Sequence, residues 1–219
     1  MTVISLLFAK VRSLEKTCGQ GSEPMPTDAL VLASSSPRRS GLLDSVGLRF
    51  DIVRPETEEQ RRPNEKPADY ARRNAAEKAA WVLASLEPAR ADAVCLAADT
   101  IVVCGEDVLE KPEDRDHARR MLTRLSGATH EVLTGVCLKS TLKESLFVVA
   151  TEVCFRELPP GEIEAYLGTE EPYDKAGSYA AQGRGAGFVS SIKGSYTNVV
   201  GLPLAQVLEA LRNEFRFSI

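Results

Sequence analysis

Two spacings of apolar residues alternate along the chain. One is the unbroken run of a buried strand; the other recurs every three or four positions and marks one face of a helix. Ala29–Ala33 is a short apolar run before a serine cluster and predicts a buried strand. Ser36-Pro37 then offers an N-cap followed by proline at the first helical position. Leu42, Leu43 and Val46 continue at helical spacing until Gly47. Phe50–Val53 predicts a second strand, and the polar, proline-containing stretch 56–67 a loop. Over Ala68–Leu86, the residues Ala71, Ala75, Ala79, Val82 and Leu83 form the apolar stripe of a helix.

Ala93–Val103 is too apolar and β-branched for a surface element, which predicts a central strand, and Cys104–Val108 a hairpin-like turn. Pro112, with Glu113, Asp114 and Asp116 behind it, opens a helix whose acids complement its dipole. Ala118, Met121, Leu122 and Leu125 supply its buried face, and Gly127 ends it. His130–Leu138 and Leu146–Phe155 predict long strands around a polar turn, and Pro160–Leu167 a short helix. The stretch 177–187 holds four glycines and predicts a loop. Phe188–Ile192 and Tyr196–Val200 predict paired strands about Lys193-Gly194, and Pro203–Phe215 a closing helix. Strands and helices mix along the whole chain, so the fold class is α/β (mixed α+β). Residues 1–27, ending in a Gly/Ser/Pro-rich stretch, predict a flexible extension ahead of one folded unit, 28–219.

Composition narrows the function classes. The 219 residues are 43% hydrophobic and 26% charged, ordinary values for a globular domain. With 27 Lys+Arg against 31 Asp+Glu the net charge is −4, which argues against a broad nucleic-acid-binding surface but leaves room for one basic pocket. The five cysteines, Cys18, Cys95, Cys104, Cys137 and Cys154, include no CxxC pair. Four of them lie in apolar runs, as expected of buried thiols in a reducing compartment, hence a cytoplasmic protein. No apolar run approaches the ~20 residues of a membrane span. Val3–Ala9 is apolar, but Lys10 and Arg12 follow it, the reverse of a signal peptide; a loosely packed extension or an organelle-targeting segment both fit.

Candidate chemistry collects in four segments. Ser34-Ser35-Ser36-Pro37-Arg38-Arg39 is a strand-to-helix turn whose free N–H groups favour anions. Its two arginines oppose the helix dipole, a local conflict expected at a phosphate site. Lys78, in Glu77-Lys78, lies on or beside the apolar stripe and, taken alone, reads as a snorkelling surface lysine. Asp99 interrupts an apolar strand. A buried, unpaired carboxylate costs several kcal/mol, so it needs a cation, a metal or a job. Glu110-Lys111-Pro112 follows the next turn, and Asp174–Gly183 is a glycine-rich loop carrying Asp174, Lys175 and Gln182. There is no GxSxG elbow and no HExxH, and neither His117 nor His130 is well placed as a base. Carboxylates, Arg/Lys pairs and a glycine loop fit metal-assisted attack on a polyphosphate.

These segments, in this order, resemble the Maf family of nucleoside triphosphate pyrophosphatases, related in fold to the inosine triphosphate pyrophosphatases. The resemblance runs from about Leu30 to Leu211. Ser34–Arg39 matches the family's Ser-x-Ser-Pro-Arg-Arg signature, Glu58-Glu59-Gln60 its acidic loop, and Lys78 its helix lysine. Ala98-Asp99-Thr100, Glu110-Lys111-Pro112, Leu125–His130, Asp174–Gly183 and Val199–Leu204 match its later motifs. The long N-terminal extension and the polar turn Ser140–Ser145 depart from it.

The resemblance implies an elongated mixed sheet flanked by helices, with two lobes and the active site in the cleft between them. It implies hydrolysis of a nucleoside triphosphate between the α- and β-phosphates, with a divalent cation, Mg2+ or Mn2+. Asp99, Glu59 and Lys78 would be catalytic, with Asp99 orienting or deprotonating the attacking water and Glu59 and Asp99 holding the metal. Ser34, Ser36, Arg38, Arg39, Lys78 and Lys111 would bind the triphosphate. Thr100, Gln182 and Arg38 would select the base, with Tyr179 either stacking on it or packing in the core. One subfamily acts on dTTP and UTP and has Arg-Arg, Asp-Thr and a loop Gln. Another acts on 7-methyl-GTP and differs at the first Arg, after the Asp and in the loop. Arg38, Thr100 and Gln182 resemble the first. The implied partner is a nucleoside triphosphate, not a nucleic acid or a membrane, and the implied assembly a homodimer. The alternative is a nucleotide-binding regulator of cell division without turnover.

Overall fold

The computed structural model describes residues 29–90 and 92–217. The expected extension 1–27 and Cys18 lie outside the described residues. The elements are β1 (Leu30–Ala33), α1 (Pro37–Asp44), β2 (Phe50–Ile52), α2 (Pro67–Ser85), β3 (Val94–Cys104), β4 (Asp107–Leu109) and α3 (Arg115–Leu125). They continue with β5 (Thr129–Lys139), β6 (Glu144–Phe155), α4 (Pro160–Leu167), β7 (Val189–Lys193), α5 (Tyr196–Val200) and α6 (Leu204–Phe215). The strands form one seven-stranded mixed sheet in the order β2-β1-β3-β5-β6-β7, with β4 also on β3. β2, β1 and β3 run parallel, as the α1 and α2 crossovers require; β4, β5, β6 and β7 pair antiparallel. The α/β class and the helix-flanked mixed sheet agree with expectation. No described helix is long and apolar enough to cross a membrane.

Alternation along β3 organises the core. Its odd-numbered side chains, Cys95, Ala97, Ile101 and Val103, share clusters with the α2 stripe Ala71, Ala75, Ala79 and Val82. Its even-numbered ones are divided. Val94, Leu96 and Ala98 pack with α1 and α6, whereas Val102 and Cys104 pack with α3 and α4. Thr100 lies between these two cores and belongs to neither. One sheet face is therefore braced end to end by a single helix, and the other separates into two packed halves.

Helix α2 comes unusually close to the sheet where β5 has no side chain. Gly135 pairs with Asp99 across the β3–β5 ladder. A Cβ on Gly135 would stand 2.2 Å from the Ala71 carbonyl oxygen and 2.7 Å from the Arg72 amide nitrogen. Only glycine fits beneath the helix backbone at that point.

Two predicted elements differ. Residues 196–200 are not a strand but a turn of helix, and β7 pairs with β6 instead. Ser195 caps that turn, its Oγ accepting from the Asn198 amide at 3.2 Å, and Gly201 (φ +127°) stops it. The buried Asn198 amide group then donates to the Val132 carbonyl and to Thr151 Oγ1, both at 3.0 Å. Cap and anchor together outweigh the β-propensity of Thr197, Val199 and Val200. Helix α3 starts at Arg115 because Asp114 is its N-cap, accepting from the His117 amide.

His130 belongs to the second core half. Its ring meets Phe155 edge-on at 5.0 Å and Tyr179 at 5.5 Å, and its Nε2 lies 2.8 Å from the Tyr179 hydroxyl. Burial pushes its pKa down to about 4.

Two outcomes follow from this packing. Gly135→Ala should cost about 3 kcal/mol in urea unfolding, because the clash is with backbone that cannot turn aside. His130 is neutral when folded and gains a proton more readily when unfolded. The fold should therefore lose stability as pH falls from about 6.5 towards 4, with His130's share of the order of 3 kcal/mol. Urea midpoints of His130→Asn across that range should show a correspondingly shallower pH dependence than those of the parent chain.

Candidate active site

β3 is paired on one edge by β1 only as far as Ala97, and by β4 only from Val102. Between them residues 98–101 have an open edge. A cleft of about 650 Å³ opens there, reached by the strand-to-helix turn before α1, the loop before α2, the β4–α3 connection, the glycine loop and the turn after α5. All ten residues expected at the site border it: Ser34, Ser36, Arg38, Arg39, Glu59, Lys78, Asp99, Thr100, Lys111 and Gln182.

Asp99 points to the α2 side and is 6% exposed. One carboxylate oxygen accepts from Lys78 Nζ at 2.6 Å, the other from Asn74 Nδ2 at 3.0 Å. Asn74 and Lys78 are one helical turn apart on one face, which places both over the same carboxylate. Lys78 is itself buried, so it is a partner of Asp99 and not a snorkelling surface residue. Its ammonium also lies 2.7 Å from a Glu59 carboxylate oxygen. One cation thus sits between two carboxylates, one buried and one from a solvent-facing loop. Asn74 Oδ1 is buried beside them without a hydrogen-bond partner among the described residues.

Tyr70, one turn before Asn74, ties this loop down. Its hydroxyl is 2.6 Å from a Glu110 carboxylate oxygen and 3.0 Å from the Glu59 carbonyl. Burial and then Glu110 push its pKa well above the ordinary tyrosine value.

Thr100, the next residue along β3, points to the opposite face. Its hydroxyl accepts from Arg39 Nη2 at 3.1 Å and meets Thr134 Oγ1 at 3.0 Å. The same guanidinium donates to the Gly201 carbonyl at 2.8 Å and to Ser34 Oγ at 3.2 Å. Arg39 therefore ties α1 to β3 and to the turn after α5. Desolvation lowers its pKa, opposed by the charge of Asp99. Ser34 Oγ also takes the Ser36 amide at 3.1 Å, shaping the turn. The arginine pair divides its work. Among the described residues no ion pair or side-chain hydrogen bond engages Arg38, which faces the cleft, and the same is true of Lys111 and Arg54.

The glycine loop closes the far side. Gln182 is exposed to the cleft, and Lys175 Nζ is held by the Glu171 carbonyl at 2.9 Å. Tyr179 is 5% exposed, with its ring against Phe155 and His130 in the core, so its position favours packing over stacking on a ligand.

Sequence reasoning missed Tyr70 and Arg54 at this cleft and Asn74 beside Asp99, and it gave Glu110 and Asp174 no role although both lie in the candidate segments. Asn74 had a usable signal, a polar residue four positions before Lys78 inside the alanine stripe. Arg54 had none beyond following a strand. Among the described residues no group of three or more His, Cys, Asp or Glu could hold a metal alone. The protein instead offers two carboxylates at one point, Glu59 and Asp99, facing three uncommitted cations.

The sequence profile described as Maf-like protein matches residues 29–214. A dTTP/UTP pyrophosphatase of Anaeromyxobacter dehalogenans (strain 2CP-C) is 52% identical over 187 residues, covering 84% of this chain and 92% of the relative. One of Syntrophus aciditrophicus is 46% identical over 191 residues, 86% of this chain and 91% of the relative. One of Vibrio cholerae is 48% identical over 187 residues, 85% of this chain and 98% of the relative. The matched stretch takes in β1 through the greater part of α6 and every residue that borders the cleft, so the chain belongs to the Maf-like protein family.

Proposed function

We propose that this chain is a nucleoside triphosphate pyrophosphatase that hydrolyses dTTP and UTP to the nucleoside monophosphate and pyrophosphate, clearing such nucleotides from the cytoplasmic pool. The observation that carries the reading is one cleft in which Arg38, Arg54 and Lys111, without ion-pair or side-chain hydrogen-bond partners among the described residues, face the buried Asp99. Uncommitted cations around a fixed carboxylate suit a polyanion that is to be attacked. The printed names of the relatives supply the substrate, dTTP/UTP. The unpaired thiols of Cys95, Cys104 and Cys137, all buried, are in keeping with a reducing compartment.

The residues present also fit a divalent cation of the magnesium or manganese type. Such ions take hard oxygen donors and are commonly held by one or two carboxylates plus substrate phosphates. Glu59 and Asp99 would hold it, with the unpartnered Asn74 Oδ1 as a further oxygen nearby. When bound, the ion supplies positive charge to the phosphate oxygens and the leaving pyrophosphate.

The chain's own groups do the rest. Arg38, Arg54 and Lys111 bind the triphosphate, with the turn Ser34–Ser36 lining the cleft beside them. Asp99 takes the proton of the attacking water, and Asn74 and Lys78 fix its two oxygens so that the carboxylate does not rotate away. Attack at the α-phosphorus forms the new P–O bond as the bridging oxygen to the β-phosphorus leaves with its electron pair. Gln182, whose amide both donates and accepts, pairs with the pyrimidine edge.

Pyrophosphate release from a panel of triphosphates with magnesium tests the reading. The expected kcat/KM for dTTP and UTP exceeds that for dATP and dGTP by about tenfold or more, the size of one discriminating hydrogen-bond set. Equal rates on purines would sink the pyrimidine assignment. Asp99→Asn should lower kcat by about a hundredfold or more while nucleotide binding, read by calorimetry, persists. Full turnover by that variant would remove Asp99 from the chemistry.

A further inference from the structure

The glycine loop is clasped by a residue that lies outside it. The Glu171 carboxylate accepts from the Gly185 amide at 2.9 Å and the Arg184 amide at 3.0 Å, while Tyr166 donates its hydroxyl proton to the same carboxylate at 3.0 Å. Successive backbone N–H groups make a concavity suited to an anion, and here the chain's own carboxylate fills it. Gly183 permits the approach. It has φ +88°, and a Cβ there would stand 2.7 Å from Glu171 Oε2. The other side of the loop ends on the same pair, because the Ala180 amide donates to the Tyr166 hydroxyl at 3.3 Å.

Gln182 lies between these two anchors. Its side chain makes no hydrogen bond within the described residues, so the anchored backbone on either side sets the point from which it reaches into the cleft. Glu171 also holds Lys175 through its carbonyl, which fixes the entrance to the loop. The carboxylate is suited to a permanent clasp. Burial works against its ionisation, but the Gly185 and Arg184 amides, the Tyr166 hydroxyl and the charge of Lys175 together outweigh that and keep its pKa below the usual glutamate value.

We propose that Glu171, acting with Tyr166, is a positioning residue that sets base selectivity by fixing the backbone from which Gln182 reaches into the cleft. The proposal rests on Gln182 reading the base. A merely structural glutamate would affect all triphosphates alike. A clasp that aims Gln182 affects the pyrimidine nucleotides first, through KM more than kcat.

Two measurements decide it. In Glu171→Ala, the dTTP-over-dGTP ratio of kcat/KM should fall about tenfold, the scale of hydrogen bonds lost from a charged acceptor. The same change made in a Gln182→Ala background should leave the ratio where Gln182→Ala alone puts it. In Glu171→Gln, whose shape is conserved but whose NH2 faces one of the two amides, hydrogen exchange at Arg184 and Gly185 should accelerate about tenfold, again the worth of one such bond. If Glu171→Ala does not fold, Glu171→Gln carries both readouts. An unchanged ratio with faster exchange overturns the proposal, since the clasp would then exist without governing selectivity. Unchanged exchange overturns it as well, since there would be no clasp. A parent chain without pyrimidine preference fails the reading of Gln182 itself, and the exchange result still judges the clasp on its own.

Discussion

The pairing of Asp99 with Lys78 and Asn74 is the constraint around which the rest is arranged. Taking a carboxylate and an ammonium out of water is expensive, and the pair recovers that cost only if the geometry is tight and the remaining lone pairs are met. Tightness here depends on distance between backbones. The helix must lie almost on the sheet for two short reaches, from Asn74 and from Lys78, to end on one strand residue. Gly135 provides that distance by standing directly opposite Asp99 with no side chain, and the alanines of α2 keep the approach open along its length. The stability of the ion pair and the packing of the helix are therefore one problem, not two.

The opposite face answers a different requirement. There the sheet carries two cores, one under α1 and α6 and one under α3 and α4, and between them lie the hydroxyls of Thr100 and Thr134. Polar residues at that seam would leave groups unsatisfied without partners. Arg39, the Gly201 carbonyl and the Asn198 carbonyl supply those partners and tie the two halves together with hydrogen bonds. That face is thus joined by polar contacts, while beneath α2 hydrophobic packing surrounds the Asp99 cluster.

Much of this was legible in the sequence, for physical reasons that differ by residue. Asp99 stood out because a charge inside an apolar strand has few inexpensive explanations. The strands and long helices were readable because their periods of two and 3.6 are imposed by burial. Lys78 was ambiguous because a lysine at the edge of an apolar stripe looks the same whether it snorkels or is buried with a partner. Arg38 and Arg39 were indistinguishable as neighbours, although one is consumed by three internal acceptors and the other is not. The turn 196–200 was misread because its β-branched residues speak for strand, and what overrides them is a cap and a buried asparagine whose partners are far away in sequence. Glu171 was silent for the same reason: its bonds reach across a loop to amides that no local pattern marks.

The open edge of β3 has one more implication. Asp99 and Thr100 are consecutive, so they point to opposite sides of the sheet, yet both reach one cleft because no strand covers that edge between Ala97 and Val102. The work of the site is thereby sorted by parity. Odd positions of β3 answer to α2, and Thr100, at an even one, to Arg39 of α1 and the turn after α5. Such a scheme is indifferent to many substitutions but not to a change in counting. A single residue inserted early in β3 would send the carboxylate under Arg39 and the hydroxyl under Lys78, and nearly every side chain would still be present with nothing in its place. In this fold the reading frame of one strand against its neighbours is part of the active site.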